Sequence, residues 1–365
     1  MIIAIDLTSL SYHLTGIERY AMCVTDKLIE NDQMNTYILI FRNEIATLYI
    51  DRIDGKRIQS IVLYGNNKFM FLQFTLAKAL RNIRADKYIF FAFPSPILFR
   101  RKGIINTIHD MGAWDSSREM KSLSKYYFRI SYKNAAKASE KIITVSNFTR
   151  NRIHLILGVP YEKIEVVHSA VYDGISEKKV ASYNIIKREY NLPDKYIMTL
   201  STLEPRKNMN VLLQAFDKIS DKVNYDLVLV GRKGWKMDEV IARYNTKDRI
   251  HITGFVKDEH LSAIYRNAIC FVFPSLYEGF GLPPVEALSL GTAVIASDAS
   301  ALPEVLQDRA VYFKSNSQEE LEDILIDVEI NEKDMKHSLN EYQKTHYNFD
   351  YASKKIIERV IEEKT

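Results

Sequence analysis

The chain has 365 residues, 47% hydrophobic and 26% charged, with a formal net charge of +4 at pH 7. That length suits two domains, each large enough for its own core, and the composition is that of a soluble globular protein. The weak positive charge calls for no nucleic acid and no nucleic-acid motif joins it, while two distant cysteines, Cys23 and Cys270, exclude a disulfide framework or zinc site and point to a reducing cytoplasm.

The opening MIIAIDL lacks a charged leader and ends at Asp6, so it reads as a buried strand, and no run of eighteen apolar residues is available to span a bilayer. A helix is expected from about Gly16 to Ile29. Further strands are expected at 36–41, 87–93, 103–110 and 141–146. Between the second and third, Lys68, Lys78, Arg81, Arg84 and Lys87 alternate with Phe69, Phe71, Leu72, Phe74, Leu76 and Leu80, and Arg100, Arg101 and Lys102 follow. This segment reads equally as a helix resting on an anionic membrane and as an amphipathic helix with a solvated basic face. A polar stretch from about Val171 to Lys187 marks the domain junction. Strands resume at 195–201, 226–231, 249–256, 270–275 and 292–297, and after Phe313 the chain turns charged and helical. The expected fold class is α/β, two doubly wound Rossmann-like halves whose ligands sit beyond the carboxyl ends of the strands. No internal repeat or low-complexity segment occurs.

The most informative stretch is FPSLYEGFGLPPVE, 273–286. Glu278 and Glu286 flank a turn in which Gly279 and Gly281 permit positive φ and close backbone approach. Pro283 and Pro284 suit the start of a helix, and its N–H groups and dipole favour phosphate. Glu286 is expected in the first helical turn, accepting hydrogen bonds from hydroxyls. Donors for phosphate beside acceptors for sugar point to a nucleotide-sugar. A second loop, LSTLEPRKN (200–208), projects Arg206 and Lys207 between a strand and a helix, where both suit a diphosphate. His109-Asp110 closes a strand, and an imidazole there is placed to bond a hydroxyl or share charge. Thr15-Gly16 opens the first helix, Ser146 is expected to cap another, and no D-x-D metal motif occurs.

The E-x7-E spacing embedded in PSLYEGFGLPPVEALSLGTAVIASDASALPEV resembles the signature of family 4 retaining glycosyltransferases of GT-B fold, and in particular the mannosyltransferase-B-like branch of bacterial cell-surface polysaccharide enzymes. The resemblance extends over nearly the whole chain. It implies an amino-terminal, acceptor-side Rossmann-like domain over 1–172, a nucleotide-sugar donor domain over 173–345, and a terminal segment (346–365) whose helix, Phe349 to Glu363, crosses back to the first domain. It assigns Glu286 to the ribose hydroxyls, Glu278 to hydroxyls of the transferred sugar, Arg206 and Lys207 to the donor diphosphate, and the backbone N–H groups of Gly281 and Leu282 to phosphate or sugar. Gly16 touches the donor phosphate or the acceptor, His109 acts at the sugar, and Gly254-Phe255-Val256 lies where relatives pass the nucleobase. Where the broader family carries an earlier Arg, this chain has Thr202, and the role passes to Arg206. Glu278 as a positioning group and Glu278 as a nucleophile both remain open.

The implied activity is metal-independent transfer of a hexose, mannose from GDP-mannose, to a polyprenyl-diphosphate-linked glycan in O-antigen or capsule assembly. No cofactor is expected beyond the nucleoside diphosphate sugar as co-substrate, and a peripheral contact with an anionic membrane accompanies the reading. Three rivals stand beside it: a UDP- or dTDP-sugar donor, a GT-B sugar-nucleotide epimerase, and a catalytically inactive partner subunit. A nicotinamide dehydrogenase is disfavoured, because neither half shows G-x-G-x-x-G after its first strand.

Overall fold

Runs such as IINTI, CFVF and AVIAS are buried at every position, the pattern of strands covered on both faces. In the computed structural model, which describes residues 1–10, 14–116, 120, 122–171, 182–202, 204–232, 234, 242–244, 247–331, 335 and 338–362, such runs build two all-parallel sheets. The first holds β1 (Ile2–Asp6), β2 (Thr36–Arg42), β3 (Ile58–Leu63), β4 (Lys87–Phe90), β5 (Ile104–Ile108), β6 (Lys141–Thr144) and β7 (Ile164–Val166), in the order β3-β2-β1-β4-β5-β6-β7. The second holds β8 (Tyr196–Leu200), β9 (Asp226–Val230), β10 (Ile250–Gly254), β11 (Cys270–Phe273), β12 (Ala293–Ser297) and β13 (Ala310–Phe313), in the order β10-β9-β8-β11-β12-β13. Each order reverses once, between β1 and β4 and between β8 and β11. Those are the switch points at which doubly wound sheets open a crevice for ligands.

Three strands escaped the sequence reading, β3, β7 and β13, and all three are sheet edges. Their burial is partial, and β7 is only three residues long, so they lack the continuous apolar run of an inner strand.

The chain divides into two compact units, Met1–Ala170 with Thr345–Thr365, and Val171–Lys344. Most of the polar stretch expected to form the junction, residues 172–181, lies outside the described residues, as does Glu363. In the first unit the helix Phe349–Ile356 packs on the helix Gly16–Asn31, and Asn31 Nδ2 donates to Ser353 Oγ at 2.8 Å. In the second unit the helix Met209–Ile219 brings Leu212, Leu213, Phe216 and Ile219 into one buried core cluster with Ile197 of β8, Leu227 and Leu229 of β9, and Cys270 and Val272 of β11. Each such side chain contributes roughly 1.5–3 kcal/mol on burial.

The basic segment is helical without a break from Lys68 to Asn82, widened in its middle, and it stops short of Arg84 and Lys87. Helical turns Lys68–Met70, a widened π-type stretch Phe71–Leu76 and helix Ala77–Asn82 succeed one another, and Lys87 belongs to β4. Phe71, Leu76 and Leu80 enter the core, while Phe69, Met70 and Phe74 stay exposed.

Candidate active site

The centre of the second unit is built from two loops that leave adjacent strands, β8 and β11, at the switch point. After β8 the chain is extended at Glu204, makes a tight turn over Pro205–Lys207, and passes through Asn208 at φ 54 into the helix Met209–Ile219. Pro205 presets the first position of that turn. Leu276 N, on the loop after β11, donates to Arg206 O at 2.9 Å and so ties the loops together.

Their side chains converge on Glu278. Lys207 Nζ donates to Glu278 Oε1 at 2.5 Å, and the buried Ser275 hydroxyl donates to the same oxygen at 2.6 Å. Arg206 reaches Oε2 only at 3.5 Å, while its guanidinium donates to Tyr277 O at 2.6 Å and Glu204 Oε1 at 3.1 Å. Glu278 N in turn donates to Ser300 Oγ at 2.7 Å, and Ser297 Oγ donates to Ser275 O at 2.5 Å. Ser300 holds φ 55, a left-handed conformation that few side chains adopt.

Burial works to raise the Glu278 pKa, but Lys207, Arg206 and the Ser275 hydroxyl outweigh it and hold the carboxyl below its usual range. Burial, aided by the neighbouring Arg206 charge, pulls the Lys207 ammonium below its usual value against the attraction of Glu278. Glu278 is therefore held as a carboxylate against its desolvation, with Oε1 taking both short bonds and Oε2 the less engaged oxygen.

Beyond Glu278 the chain turns through Gly281, at φ 91, into the helix Leu282–Ser289. A Cβ on Gly281 would lie 2.6 Å from Leu302 Cδ2, so glycine is required by conformation and by space. Pro283 and Pro284 carry no N–H, and the donors at this helix start are those of Gly281, Leu282 and then Val285. The placement of Glu286 in the first turn is corrected: the helix begins at Leu282, so Glu286 is its fifth residue, and its buried carboxylate accepts from Tyr265 OH at 3.5 Å. Gly254, at φ 70, ends β10, and the exposed Phe255 beside it carries the Arg232 guanidinium 4.5 Å over its ring.

Gly16 and His109 belong to the first unit. Gly16 is the exposed first residue of the helix Gly16–Asn31, whose start is closed by Thr15 N donating to Glu18 Oε2 at 2.9 Å. His109 follows β5, and its Nε2 lies 2.8 Å from Phe91 O. A carbonyl only accepts, so Nε2 carries the proton and Nδ1 keeps a lone pair. Burial lowers the His109 pKa against the opposing Phe91 bond and Asp110 charge, which keeps the ring neutral near pH 7. Asp110 does not grip the imidazole; its Oδ1 accepts from Gly112 N at 2.8 Å. Ser146 caps its helix, accepting from Thr149 N at 3.1 Å.

The structure thus brings Arg206, Lys207 and Glu278 into direct contact, carries Gly281 and Leu282 on the same loop, and sets Glu286 one helical turn further on. Ser275, Ser300 and Tyr265 went unnoticed in the sequence. Ser275 had a signal, standing three residues before Glu278 at the end of a strand; the others are brought in by tertiary folding. Chemically, the arrangement offers two cations and helix-start N–H groups to an anion, beside two buried carboxylates that accept from hydroxyls.

Two family models match: Glycosyltransferase Family 4 over residues 14–173 and Glycosyl transferases group 1 over residues 183–346. The chain is 27% identical over 324 residues to the O-antigen chain mannosyltransferase B of Escherichia coli, covering 84% of this chain and 85% of that protein. It is 29% identical over 210 residues to the O-antigen chain mannosyltransferase RfbU of Salmonella typhimurium, 57% of this chain and 56% of that one. Among solved structures, Anabaena Alr3699/HepE in complex with UDP and glucose superposes with a TM-score of 0.71 at 14% identity, covering 98% of both chains. The chain belongs to the family 4 glycosyltransferases, with the GT-B fold, in the branch that holds the O-antigen chain mannosyltransferases.

Proposed function

We propose that this chain is a retaining, metal-independent glycosyltransferase that moves mannose from GDP-mannose to a polyprenyl-diphosphate-linked glycan in cell-surface polysaccharide assembly, working at the cytoplasmic face of an anionic membrane. The observation that carries the reading is the cluster at the β8/β11 switch point, where Lys207 and Arg206 converge on Glu278 next to the helix start at Gly281 and Leu282. The names of the similar mannosyltransferases support the choice of sugar and acceptor.

In this reading the diphosphate lies against Arg206, Lys207 and the N–H groups of Gly281 and Leu282. As the glycosidic bond to phosphate breaks, negative charge grows on the departing nucleoside diphosphate, and these fixed donors stabilise it more than they stabilise the bound ground state. They supply the positive charge that a divalent ion would otherwise bring. Glu286 takes the ribose hydroxyls and Glu278 Oε2 takes hydroxyls of the sugar. A carboxylate with one oxygen saturated by Lys207 and Ser275, and a lowered pKa, is a weak nucleophile. That favours a positioning role, with departure and attack on one face of the sugar, over a glycosyl-enzyme. His109 and Gly16, on the first unit, take their roles from the family resemblance: the Nδ1 lone pair accepts from a sugar hydroxyl, and the Gly16 N–H serves the donor phosphate or the acceptor.

The test is a transfer assay across GDP-, UDP- and dTDP-sugars with a polyprenyl-diphosphate glycan acceptor, with and without EDTA. Mannose transfer that survives EDTA with retained anomeric configuration is expected. Product formed without acceptor would indicate an epimerase, loss of turnover restored by Mn²⁺ would remove the charge-replacement argument, and no transfer at all would favour a partner subunit.

A further inference from the structure

The basic-aromatic segment of the first unit does not stand alone. Gln73, buried within it, donates from Nε2 to Tyr127 OH at 3.4 Å and accepts at Oε1 from Ile97 N at 2.9 Å. One glutamine thereby joins the segment to the helix Ser122–Ala138 and to the loop after β4. The Phe69 and Tyr127 rings meet with centroids 6.0 Å apart, Arg81 donates to Leu98 O at 2.5 Å, and Arg101 donates to Arg81 O at 2.9 Å. Three pieces of chain form one continuous face.

That face is apolar and basic at once. Phe69, Met70 and Phe74 are more than half exposed, with Phe74 at 53%. On the helix Ser122–Ala138 the buried side chains include Ser131, Tyr132 and Ala135, yet Leu123, Tyr126 and Ile130 stand outward at 87%, 59% and 57%. Their spacing of three and then four residues lays them along one stripe. Around them lie exposed Lys68, Lys78, Arg100, Lys102 and Lys133. Segments 64–85, 94–109 and 120–139, from which all of these come, contain no Asp or Glu.

We infer that this three-segment face is the surface on which the chain docks to an anionic lipid bilayer, its aromatic and aliphatic side chains entering the headgroup boundary and its basic rim pairing with lipid phosphates. Apolar side chains interleaved with cations and free of acids suit a fluid anionic surface, which adapts to each of them. A protein partner would need its own fixed set of acids at matching points. Each Lys or Arg brought near such a surface strengthens partitioning roughly fivefold, and salt weakens it. The inference rests on the proposed function for its purpose, a lipid-linked acceptor, while its geometry is independent of the catalytic cluster.

The experiment is flotation of the full chain with vesicles of phosphatidylcholine alone and of equal parts phosphatidylcholine and phosphatidylglycerol. Binding is expected to the anionic vesicles, to fall steeply with salt, and to drop about tenfold or more in both Phe69→Ser/Phe74→Ser and Leu123→Ser/Tyr126→Ser. A third variant, Lys78→Glu/Lys133→Glu, should lose anionic binding alone. All three alter exposed positions, so nucleoside diphosphate binding, measured in parallel, should hold. The inference is overturned if the wild-type chain stays with the buffer, binds both vesicles equally, or binds as well after the substitutions. It is overturned too if those substitutions instead dissolve a dimer. Failure of wild-type nucleotide binding with vesicle binding intact would sink the proposed function and leave the docking face standing.

Discussion

Replacing Lys207 with methionine keeps the aliphatic stem and removes the ammonium from the Glu278 pair. Both side chains are nearly buried, 12% and 11% exposed, so solvent cannot take over the lost partner. Removing one member of such a pair costs about 3–5 kcal/mol. Glu278 would retain the Ser275 hydroxyl at 2.6 Å and Arg206 at 3.5 Å, which places the expected loss near the lower end, about 3 kcal/mol at neutral pH. The pH dependence carries the sharper information. In the native chain the Glu278 pKa lies below the ordinary glutamate value of 4.5, so its contribution is present above that value and is lost as pH falls through the folded pKa. In Lys207→Met, burial dominates and the folded pKa rises above the unfolded one. The penalty then grows with pH from the unfolded pKa up to the folded one, and the deficit against wild type narrows on acidification. Urea unfolding of both proteins at pH 5 and pH 7.5 measures this, with Lys207→Met/Glu278→Gln expected to recover most of the loss. A deficit below about 1 kcal/mol, or one that does not narrow at pH 5, would refute the buried ion pair as described.

Ser275→Ala removes a hydrogen bond to a charged oxygen worth about 1.5–3 kcal/mol, so kcat should fall by about tenfold or more with little change in KM, and the acid limb of the pH profile should move upward as Glu278 loses a group that lowers its pKa. An unchanged profile would make Ser275 a packing residue. Gly281→Ala forces a Cβ to 2.6 Å from Leu302 Cδ2 at φ 91 and should cost about 1–3 kcal/mol; Leu302→Ala empties a fully buried position and destabilises by itself, but it relieves the clash, so the double variant should lose less Tm than the two single losses added together. His109 should titrate below 6.5 by NMR, with the proton on Nε2 in the neutral form. Because its folded pKa is depressed, stability should fall as pH drops from 6.5 towards that value; a titration at or above 6.5 would contradict the dominance of burial over the Phe91 bond and the Asp110 charge.

The inner strands were legible because parallel strands covered on both faces leave continuous apolar runs, and the E-x7-E loop was legible because glycine, proline and carboxylate each have a local physical reason to be there. The edge strands β3, β7 and β13 were not, since half-exposed strands dilute that signal. Glu286 falls one residue past the first turn because proline pairs mark the start of a helix only approximately; here Leu282, not Pro283, is its first residue. Ser300 and Tyr265 reach Glu278 and Glu286 from 22 and 21 residues away in sequence, a proximity that no local pattern encodes. The outward stripe of Leu123, Tyr126 and Ile130 looks in sequence like any core-facing stripe, and only the burial of its helix's opposite side tells them apart.

The most direct test of the donor cradle is a crystal structure of the chain with GDP bound. The account predicts phosphate oxygens within hydrogen-bond reach of the Arg206 guanidinium, Lys207 Nζ and the N–H groups of Gly281 and Leu282, with the base running towards Gly254. A diphosphate bound elsewhere, with the Lys207–Glu278 pair untouched, would contradict it.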